Sequence, residues 1–229
     1  MELWLDTVDF DLIQTTSKQI NLHGVTTNPS ILAQSELSAV QTIRKLLEIQ
    51  PGRVAVQVTT NTHQEMIAQA KMVAQIDPRI IIKIPVNQEG LFTINALANA
   101  NIQTMATAIF ETRQVLLSAM AGATYAAPYL SKIAGDQFNE INQMLEVIKV
   151  NNYSLKLIVA AIKNVDQILN SAKFGAHAIT IPVDPFKQFM ANHEQTTQSL
   201  VKFANDWEAC GKSLEIKYQH IPELLNINP

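Results

Sequence analysis

Apolar residues follow two patterns that alternate along the chain: short continuous runs of β type and longer stretches with helical periodicity. The first residues of eight short runs are separated by 21, 30, 26, 23, 21, 32 and 21 positions. Each interval fits one strand plus a crossover helix, so the runs predict eight parallel strands. The runs are LWLDT from Leu3, GVTTN from Gly24, VAVQV from Val54, IIIKIP from Ile80, QTMATAI from Gln103, TYAAPY from Thr124, KLIVAAI from Lys156 and HAITIPV from His177.

Five of the intervening segments place apolar residues at i, i+3 and i+4, which is the stripe of a helix that covers a sheet. Eight such units in 229 residues predict an α/β fold, a closed (β/α)8 TIM barrel formed by a single domain over 1–229. A doubly wound open sheet is the alternative, and the lack of a GxGxxG spacing weakens it. The helical segments are LSAVQTIRKLLEI, HQEMIAQAKMVAQI, LFTINALANA, RQVLLSAMAGA and VDQILNSAKFG.

Four of the seven glycines stand at the start of a strand run or two residues before it. A helix often ends in a left-handed residue, which glycine adopts most easily because it has no Cβ. We therefore expect these glycines to end the preceding helices in that conformation. They are Gly24, Gly52, Gly122 and Gly175.

Residues 193–229 follow the eighth strand and are not needed to close a barrel. The stretch TTQSLVKFANDWEA predicts an additional C-terminal helix, and GKSLEIKYQHIPELLNINP forms a tail. Apolar side chains in the tail lead us to expect that it packs on its own barrel or on a neighbouring subunit, and hence that the protein is a homo-oligomer. These side chains are Leu214, Ile216, Ile221, Leu224 and Leu225.

Composition narrows the function classes. Apolar residues make up 47%, charged residues 16%, and the net charge is −3, which argues against disorder and against nucleic acid as a partner. The longest uncharged apolar runs are too short to cross a membrane, and the N-terminus lacks a basic leader region, so we expect a cytoplasmic protein without a membrane partner. The five histidines form no i, i+4 pair, so a histidine-rich metal site is not predicted.

Lys83 interrupts the apolar pattern of the fourth run, IIIKIP. The two-residue period of a strand sends Lys83 to the same face as Ile81 and away from Ile82 and Ile84. If Ile82 and Ile84 face the helices, Lys83 enters the barrel near its C-terminal mouth. Desolvation there lowers the pKa of the amine, as a nucleophile towards carbonyls requires. The alternative is a lysine whose stem lines the rim while its head reaches water or an acid.

Polar side chains also end several other predicted strands. Singly, each has a local explanation, since Asp6 or Thr7 can cap the first helix and Asn28 suits a turn. Together they favour an active site, because barrel enzymes carry their catalytic groups at the C-terminal mouth. A carboxylate, an amine, a phenol, an amide and hydroxyls are the groups that imine chemistry uses. The strand-end residues are Asp6, Thr7, Thr26, Thr27, Asn28, Gln57, Thr59, Thr107 and Tyr129.

Four motifs together resemble the transaldolase and fructose-6-phosphate aldolase family, specifically its small single-domain branch. The resemblance runs from the first strand to about Trp207 and implies a (β/α)8 barrel with the Schiff-base lysine on the fourth strand, at Lys83. Transaldolases of the family carry Glu on the third strand and Phe on the sixth, whereas the aldolases carry Gln and Tyr, so Gln57 and Tyr129 favour the aldolase. The motifs are LDT at 5–7, GVTTNPSIL at 24–32, IKIPV at 82–86 followed by EGL, and SAMAGATYAAPYL at 118–130.

The resemblance implies a class I aldolase that cleaves fructose 6-phosphate, or a related sugar or sugar phosphate, to dihydroxyacetone and glyceraldehyde 3-phosphate. Lys83 forms the imine, Asp6 lies near Lys83 and the hydroxyl of the cleaved carbon, and neither a metal nor another cofactor is needed. The relatives assemble as pentamers and decamers, with the last helix on a neighbouring subunit. In the implied site, Gln57, Thr107 and Tyr129 hold the proton-donating water, and Thr26 and Asn28 hold the hydroxyls of the dihydroxyacetone unit.

Two positions depart from the family pattern. Ala161 stands where the seventh strand usually offers a serine to the substrate phosphate, and Lys132 stands where an arginine is expected. The expected acceptor is therefore a different or unphosphorylated aldehyde, with Lys132 and Lys163 supplying the remaining phosphate affinity. A transaldolase that moves the same three-carbon unit between sugar phosphates is the alternative, and a non-catalytic sugar-binding barrel is a second one.

Overall fold

The computed structural model describes residues 1–213, and the apolar tail expected to make a subunit contact lies outside the described residues. The chain divides into two compact units, Met1–Phe189 and a C-terminal unit that begins at Met190. The first unit holds all eight strands of the barrel and the candidate site.

Eight parallel strands form one closed barrel in chain order, and β1 closes it by pairing with β8. This arrangement confirms the predicted (β/α)8 TIM barrel, and every predicted strand run overlaps one observed strand. The strands are β1 (Glu2–Asp6), β2 (Gly24–Thr26), β3 (Arg53–Gln57), β4 (Ile80–Pro85), β5 (Thr104–Ile109), β6 (Tyr125–Pro128), β7 (Lys156–Val159) and β8 (Ala178–Ile181).

Helices alternate with the strands, and the five predicted helical segments correspond to α3, α4, α5, α6 and α8. The predicted C-terminal helix corresponds to α10. Four helices, α1, α2, α7 and α9, were not among the predicted segments, and a short 3-10 helix spans Leu130–Lys132. The helices are α1 (Phe10–Gln19), α2 (Pro29–Leu32), α3 (Ala39–Ile49), α4 (His63–Ala74), α5 (Gln88–Asn99), α6 (Thr112–Met120), α7 (Gln137–Val150), α8 (Val165–Lys173), α9 (Val183–Phe189) and α10 (Glu194–Cys210).

Strand residues separate into two apolar clusters because successive side chains point to opposite faces of the barrel wall. Ile82 and Ile84 belong to the large cluster that includes the buried helix residues. Ile81 belongs to the smaller cluster, which contains inward strand residues such as Trp4 and Met105. Lys83 alternates with Ile82 and Ile84, so its side chain enters the barrel as the pattern predicts.

The glycine prediction is half correct. Gly122 and Gly175 have left-handed φ angles of +89° and +82° and follow α6 and α8, as expected. Gly24 and Gly52 are not left-handed, so the prediction is wrong for them. A Cβ on Gly24 would lie 2.5 Å from the Arg53 carbonyl oxygen, and one on Gly52 would lie 2.5 Å from the His23 carbonyl oxygen. Close backbone approach, not a helix end, explains these two glycines.

The C-terminal unit contains α10, a helix of 17 residues that ends at Cys210 and is capped by Gly211, whose φ is +60°. None of its residues is buried, and its exposed apolar side chains include Leu200, Val201, Phe203 and Trp207. Among residues 1–213, no helix combines the length and the apolar character needed to cross a membrane.

Candidate active site

A cavity of about 710 Å³ opens at the C-terminal ends of the strands. Of the ten residues given a catalytic or substrate-binding role, seven line this cavity, and two more lie behind its wall, hydrogen bonded to lining residues. Thr7, another of the strand-end residues, also lines the cavity. Lys163 is exposed and is not part of the lining. The seven are Asp6, Asn28, Gln57, Lys83, Tyr129, Lys132 and Ala161, and the two are Thr26 and Thr107.

Lys83 is only 3% exposed. Its Nζ donates a hydrogen bond to the Thr27 carbonyl oxygen at 3.2 Å. Burial lowers the pKa of the Lys83 amine, and the nearby Asp6 carboxylate opposes this shift without reversing it. Among the ion pairs of residues 1–213, none joins Lys83 directly to Asp6. At a given pH, a larger fraction of the Lys83 amine is therefore neutral and nucleophilic than on an exposed lysine.

Asp6 ends β1, is half-buried, and accepts a hydrogen bond from one threonine hydroxyl. Thr26 Oγ1 donates to Asp6 Oδ1 at 2.6 Å and lies 2.7 Å from Thr180 Oγ1. Burial raises the pKa of Asp6, while Lys83 and the Thr26 hydrogen bond lower it, and burial prevails. The Thr26 hydroxyl thus donates its proton to Asp6, and Thr26 does not line the cavity. The resemblance implied instead that Thr26 holds a substrate hydroxyl.

Tyr129 follows β6, and its phenol oxygen lies 3.1 Å from Thr107 Oγ1. The ring is held by an edge contact with Phe110 at 5.7 Å between centroids, and Lys132 Nζ lies 5.3 Å from the ring centroid. In β5, Ala108 has a φ of +57° where the pairing with β6 shifts register. This irregularity adjoins Thr107, the hydrogen-bond partner of Tyr129.

Asn28 combines a local structural role with a place in the cavity, whereas its sequence context indicated a turn as the local alternative to a site role. Its Oδ1 accepts from the Ile31 amide at 2.9 Å and caps α2, yet the residue also lines the cavity. Since the cap uses only the oxygen, the side-chain NH2 group is left to donate to a bound molecule. The first helix is capped by Asp9, not by Asp6 or Thr7.

Ala161 and Lys163 follow β7. Ala161 has a φ of +58°, and its carbonyl oxygen accepts from Ser131 Oγ at 2.6 Å. The Lys163 backbone amide donates to Gln167 Oε1 at 2.8 Å, and the side chain is exposed. Lys132 is therefore the nearer source of positive charge for a bound anion, since it lines the cavity and Lys163 does not.

Sequence reasoning missed four residues of the site. Ser30, Gln34 and Asp184 line the cavity, and Thr180 supports Asp6 through Thr26. Asp184 directly follows the eighth predicted run, HAITIPV, so its position at the mouth could have been inferred. Thr180 is the one hydroxyl in the apolar run AITI of β8, a signal of the same kind as Lys83. Ser30 and Gln34 gave no such signal.

The assembled groups suit carbonyl chemistry. A buried amine with a lowered pKa can add to a ketone, a carboxylate beside it can take a proton, and the phenol and amide can orient a small molecule. Within the described part of the chain, no group of three or more His, Cys, Asp or Glu side chains is placed to hold a metal ion.

Comparison with known proteins gives concordant results. Residues 3–225 match the model of a family described as Transaldolase/Fructose-6-phosphate aldolase. A protein named "Probable transaldolase" from Geotalea daltonii is 35% identical over 215 residues, which cover 93% of this chain and all of the relative. Proteins of the same name from Clostridioides difficile and from Caulobacter sp. are 32% and 30% identical, cover 94% and 93% of this chain, and are themselves fully covered.

Proposed function

Because the chain belongs to the transaldolase/fructose-6-phosphate aldolase family, we propose that it is a class I aldolase that joins or cleaves a dihydroxyacetone-type donor and an aldehyde. The observation that carries this proposal is the buried Lys83 amine, whose pKa is lowered by burial, at the base of a cavity of about 710 Å³. Fructose 6-phosphate, or a sugar of the same kind, is the proposed substrate.

In the proposed reaction, the neutral Lys83 amine adds to the C2 ketone, and loss of water gives a protonated imine. Asp6 takes the proton of the C4 hydroxyl while the C3–C4 bond breaks. The electron pair of the C3–C4 bond passes into the protonated imine, which becomes an enamine. The aldehyde leaves as the first product. Tyr129, with Thr107 and Gln57 holding a water, returns a proton to C3, and hydrolysis then frees dihydroxyacetone and the amine.

The choice between aldolase and transaldolase depends on the fate of the enamine. An aldolase protonates it, whereas a transaldolase keeps it for a second aldehyde. The Tyr129 phenol, held 3.1 Å from Thr107 beside the cavity, favours protonation. Transfer is the second candidate, and it is favoured by the name "Probable transaldolase" carried by the relatives.

Phosphate recognition is proposed to be weak. Ala161 offers no side-chain hydroxyl, and Lys132 offers a point charge in place of a two-pronged guanidinium. Lys132 also lies against the Tyr129 ring, which supports a shared role in orienting the phenol and the acceptor. We therefore propose that unphosphorylated aldehydes compete well with phosphorylated ones.

A product assay tests the proposed function. The enzyme is incubated with fructose 6-phosphate alone, and then with erythrose 4-phosphate added, while free dihydroxyacetone and new sugar phosphates are measured. Release of dihydroxyacetone without an acceptor supports the aldolase. Turnover that requires the acceptor and yields no free dihydroxyacetone assigns the transaldolase instead. Retained sugar binding without turnover in either arm assigns a non-catalytic barrel. A Lys83→Met variant is the negative control.

Two further expectations remain part of this proposal. The exposed apolar side chains of α10, such as Phe203 and Trp207, support assembly into a homo-oligomer of pentameric or decameric form. The action on sugar phosphates is proposed to take place in the cytoplasm.

A further inference from the structure

Thr180 is a buried hydroxyl that the proposed mechanism does not use. It lies in β8, is 2% exposed, and its Oγ1 is 2.7 Å from Oγ1 of Thr26, which is 1% exposed. Strands β8 and β2 both pair with β1, the strand that carries Asp6. The two threonines therefore meet inside the barrel, next to the strand of the proposed acid-base group.

The direction of these hydrogen bonds follows from counting protons. Thr26 Oγ1 donates to Asp6 Oδ1 at 2.6 Å, and a hydroxyl has only one proton to donate. Thr26 must therefore accept in its contact with Thr180, and Thr180 must donate. The result is a directed chain from Thr180 to Thr26 to the Asp6 carboxylate, which matches the ionised form of that carboxylate.

These two hydrogen bonds matter because Asp6 lies in an environment that disfavours a negative charge. Burial raises the pKa of Asp6, and the Thr26 hydrogen bond is one of the two influences that lower it. Hydrogen bonds in sequence polarise one another, so a donor to Thr26 strengthens the bond from Thr26 to Asp6. Without Thr180, the buried Thr26 oxygen loses its donor, and its hydroxyl can rotate away from the carboxylate.

We propose that Thr180 is a positioning residue that acts through Thr26 and keeps the Asp6 carboxylate ionised and correctly oriented beside Lys83. This proposal rests on the proposed function, in which Asp6 takes the proton of the cleaved carbon's hydroxyl. Thr180 itself touches no reacting atom.

The other charged groups around Asp6 come from several elements. The charge of Lys83 on β4 lowers the pKa of Asp6 without a direct ion pair, while Lys132 on the 3-10 helix and Asp184 on α9 line the same cavity. Substitution of Thr180 leaves all of these groups in place. If the Asp6 titration changes when the Thr180 hydroxyl is removed, the change is therefore due to the hydrogen bonds from Thr180 through Thr26 to Asp6.

The test compares Thr180→Val, which keeps the shape and removes the hydroxyl, with Thr180→Ser, which keeps the hydroxyl. The Asp6 carboxyl is titrated by 13C NMR in the full-length protein, with its signal assigned from an Asp6→Asn variant. The acid limb of kcat/KM against pH is measured in parallel. Thr180→Val is expected to raise both apparent pKa values by about 0.5 unit, and Thr180→Ser is expected to keep the wild-type values.

Three outcomes separate this inference from the proposed function. An Asp6 titration that is unchanged in Thr180→Val overturns the role of Thr180, even if the aldolase activity is established. A shifted Asp6 titration in a protein without turnover supports the role of Thr180 and contradicts the proposed function. If Thr180→Val does not fold, Thr180→Ala and Thr180→Ser are compared in its place, and equal titrations in these two overturn the proposal.

A double substitution checks that the effect passes through Thr26. In a Thr26→Val background, Thr180→Val is expected to cause no further shift of the Asp6 pKa, because the link between them is already broken. Additive shifts would show that Thr180 acts on Asp6 by another route and would contradict the directed chain.

Discussion

Replacing Tyr129 by phenylalanine is the most informative single change in the proposed mechanism. The substitution removes one oxygen and keeps the ring, so the edge contact with Phe110 and the position of Lys132 over the ring are retained. The loss is confined to the phenol that would protonate the enamine and to its 3.1 Å contact with Thr107.

The expected effects on folding and on catalysis differ in size. Thr107 is 1% exposed, so losing its partner is expected to cost about 1 kcal/mol of the free energy of unfolding. Loss of a positioned general acid is expected to slow the release of free dihydroxyacetone about 10²- to 10⁴-fold, which is about 3 to 5 kcal/mol in the barrier. Transfer to an added aldehyde does not need that proton, so the ratio of transfer to release is expected to rise.

Tyr125→Phe is the matched control. Tyr125 is the first residue of β6, the strand that Tyr129 follows. Its hydroxyl donates to Glu2 at 3.0 Å, and the residue lines a separate small cavity. This variant loses one phenol hydrogen bond but should keep wild-type product release. The assay measures free dihydroxyacetone and transfer product with fructose 6-phosphate and erythrose 4-phosphate. Unchanged release in Tyr129→Phe, or an equal loss in Tyr125→Phe, would refute the role given to the Tyr129 phenol.

Two further predictions concern titratable groups. Because burial lowers the pKa of Lys83 and Asp6 opposes this, the rate of adduct formation with dihydroxyacetone should rise with pH through a midpoint below 10.5, and Asp6→Asn should move that midpoint lower still. At Glu2, burial raises the pKa, but hydrogen bonds from Lys156, Trp4 and Tyr125 outweigh it. Glu2→Gln should therefore lower the free energy of unfolding at pH 7 by about 1–3 kcal/mol in urea titrations.

The sign of the Glu2 effect follows from its lowered pKa. The stabilising contribution is fully present above the usual pKa of 4.5 and is lost as the pH falls through the lower value in the folded protein. Wild type and Glu2→Gln should therefore converge in stability in acid, and a constant difference from pH 7 to pH 3 would contradict this reasoning. For Lys83, a midpoint at or above that of an exposed lysine would contradict the effect of burial.

The fold could be predicted from the sequence because a parallel barrel leaves a strong pattern. Its strands are buried on both faces and become apolar runs, and the spacing of those runs counts the βα units. The helix α7 was missed although it is amphipathic, and α2 and α9 are too short to show a period. The Gly24 and Gly52 prediction failed because the sequence shows where glycine occurs but not that a neighbouring carbonyl lies 2.5 Å from its missing Cβ.

The site could be predicted in part for a related reason. Lys83 was conspicuous because a lone cation in an isoleucine strand contradicts its surroundings. Thr26 was identified from the sequence, but its partner Thr180 was not. The two residues are 154 positions apart, and their hydrogen bond forms only because β8 closes the barrel against β1. Asn28 caps α2 and also lines the cavity, whereas Asn before Pro in the sequence indicates only a turn.

The central claim is that the Lys83 amine forms an imine with a ketone substrate, and trapping tests it directly. The full-length protein is incubated with dihydroxyacetone and borohydride, digested, and analysed by peptide mass spectrometry. We predict a reduced adduct on the peptide that contains Lys83, and none in Lys83→Met. No adduct in the wild-type protein, or an adduct of equal yield in Lys83→Met, would contradict the account.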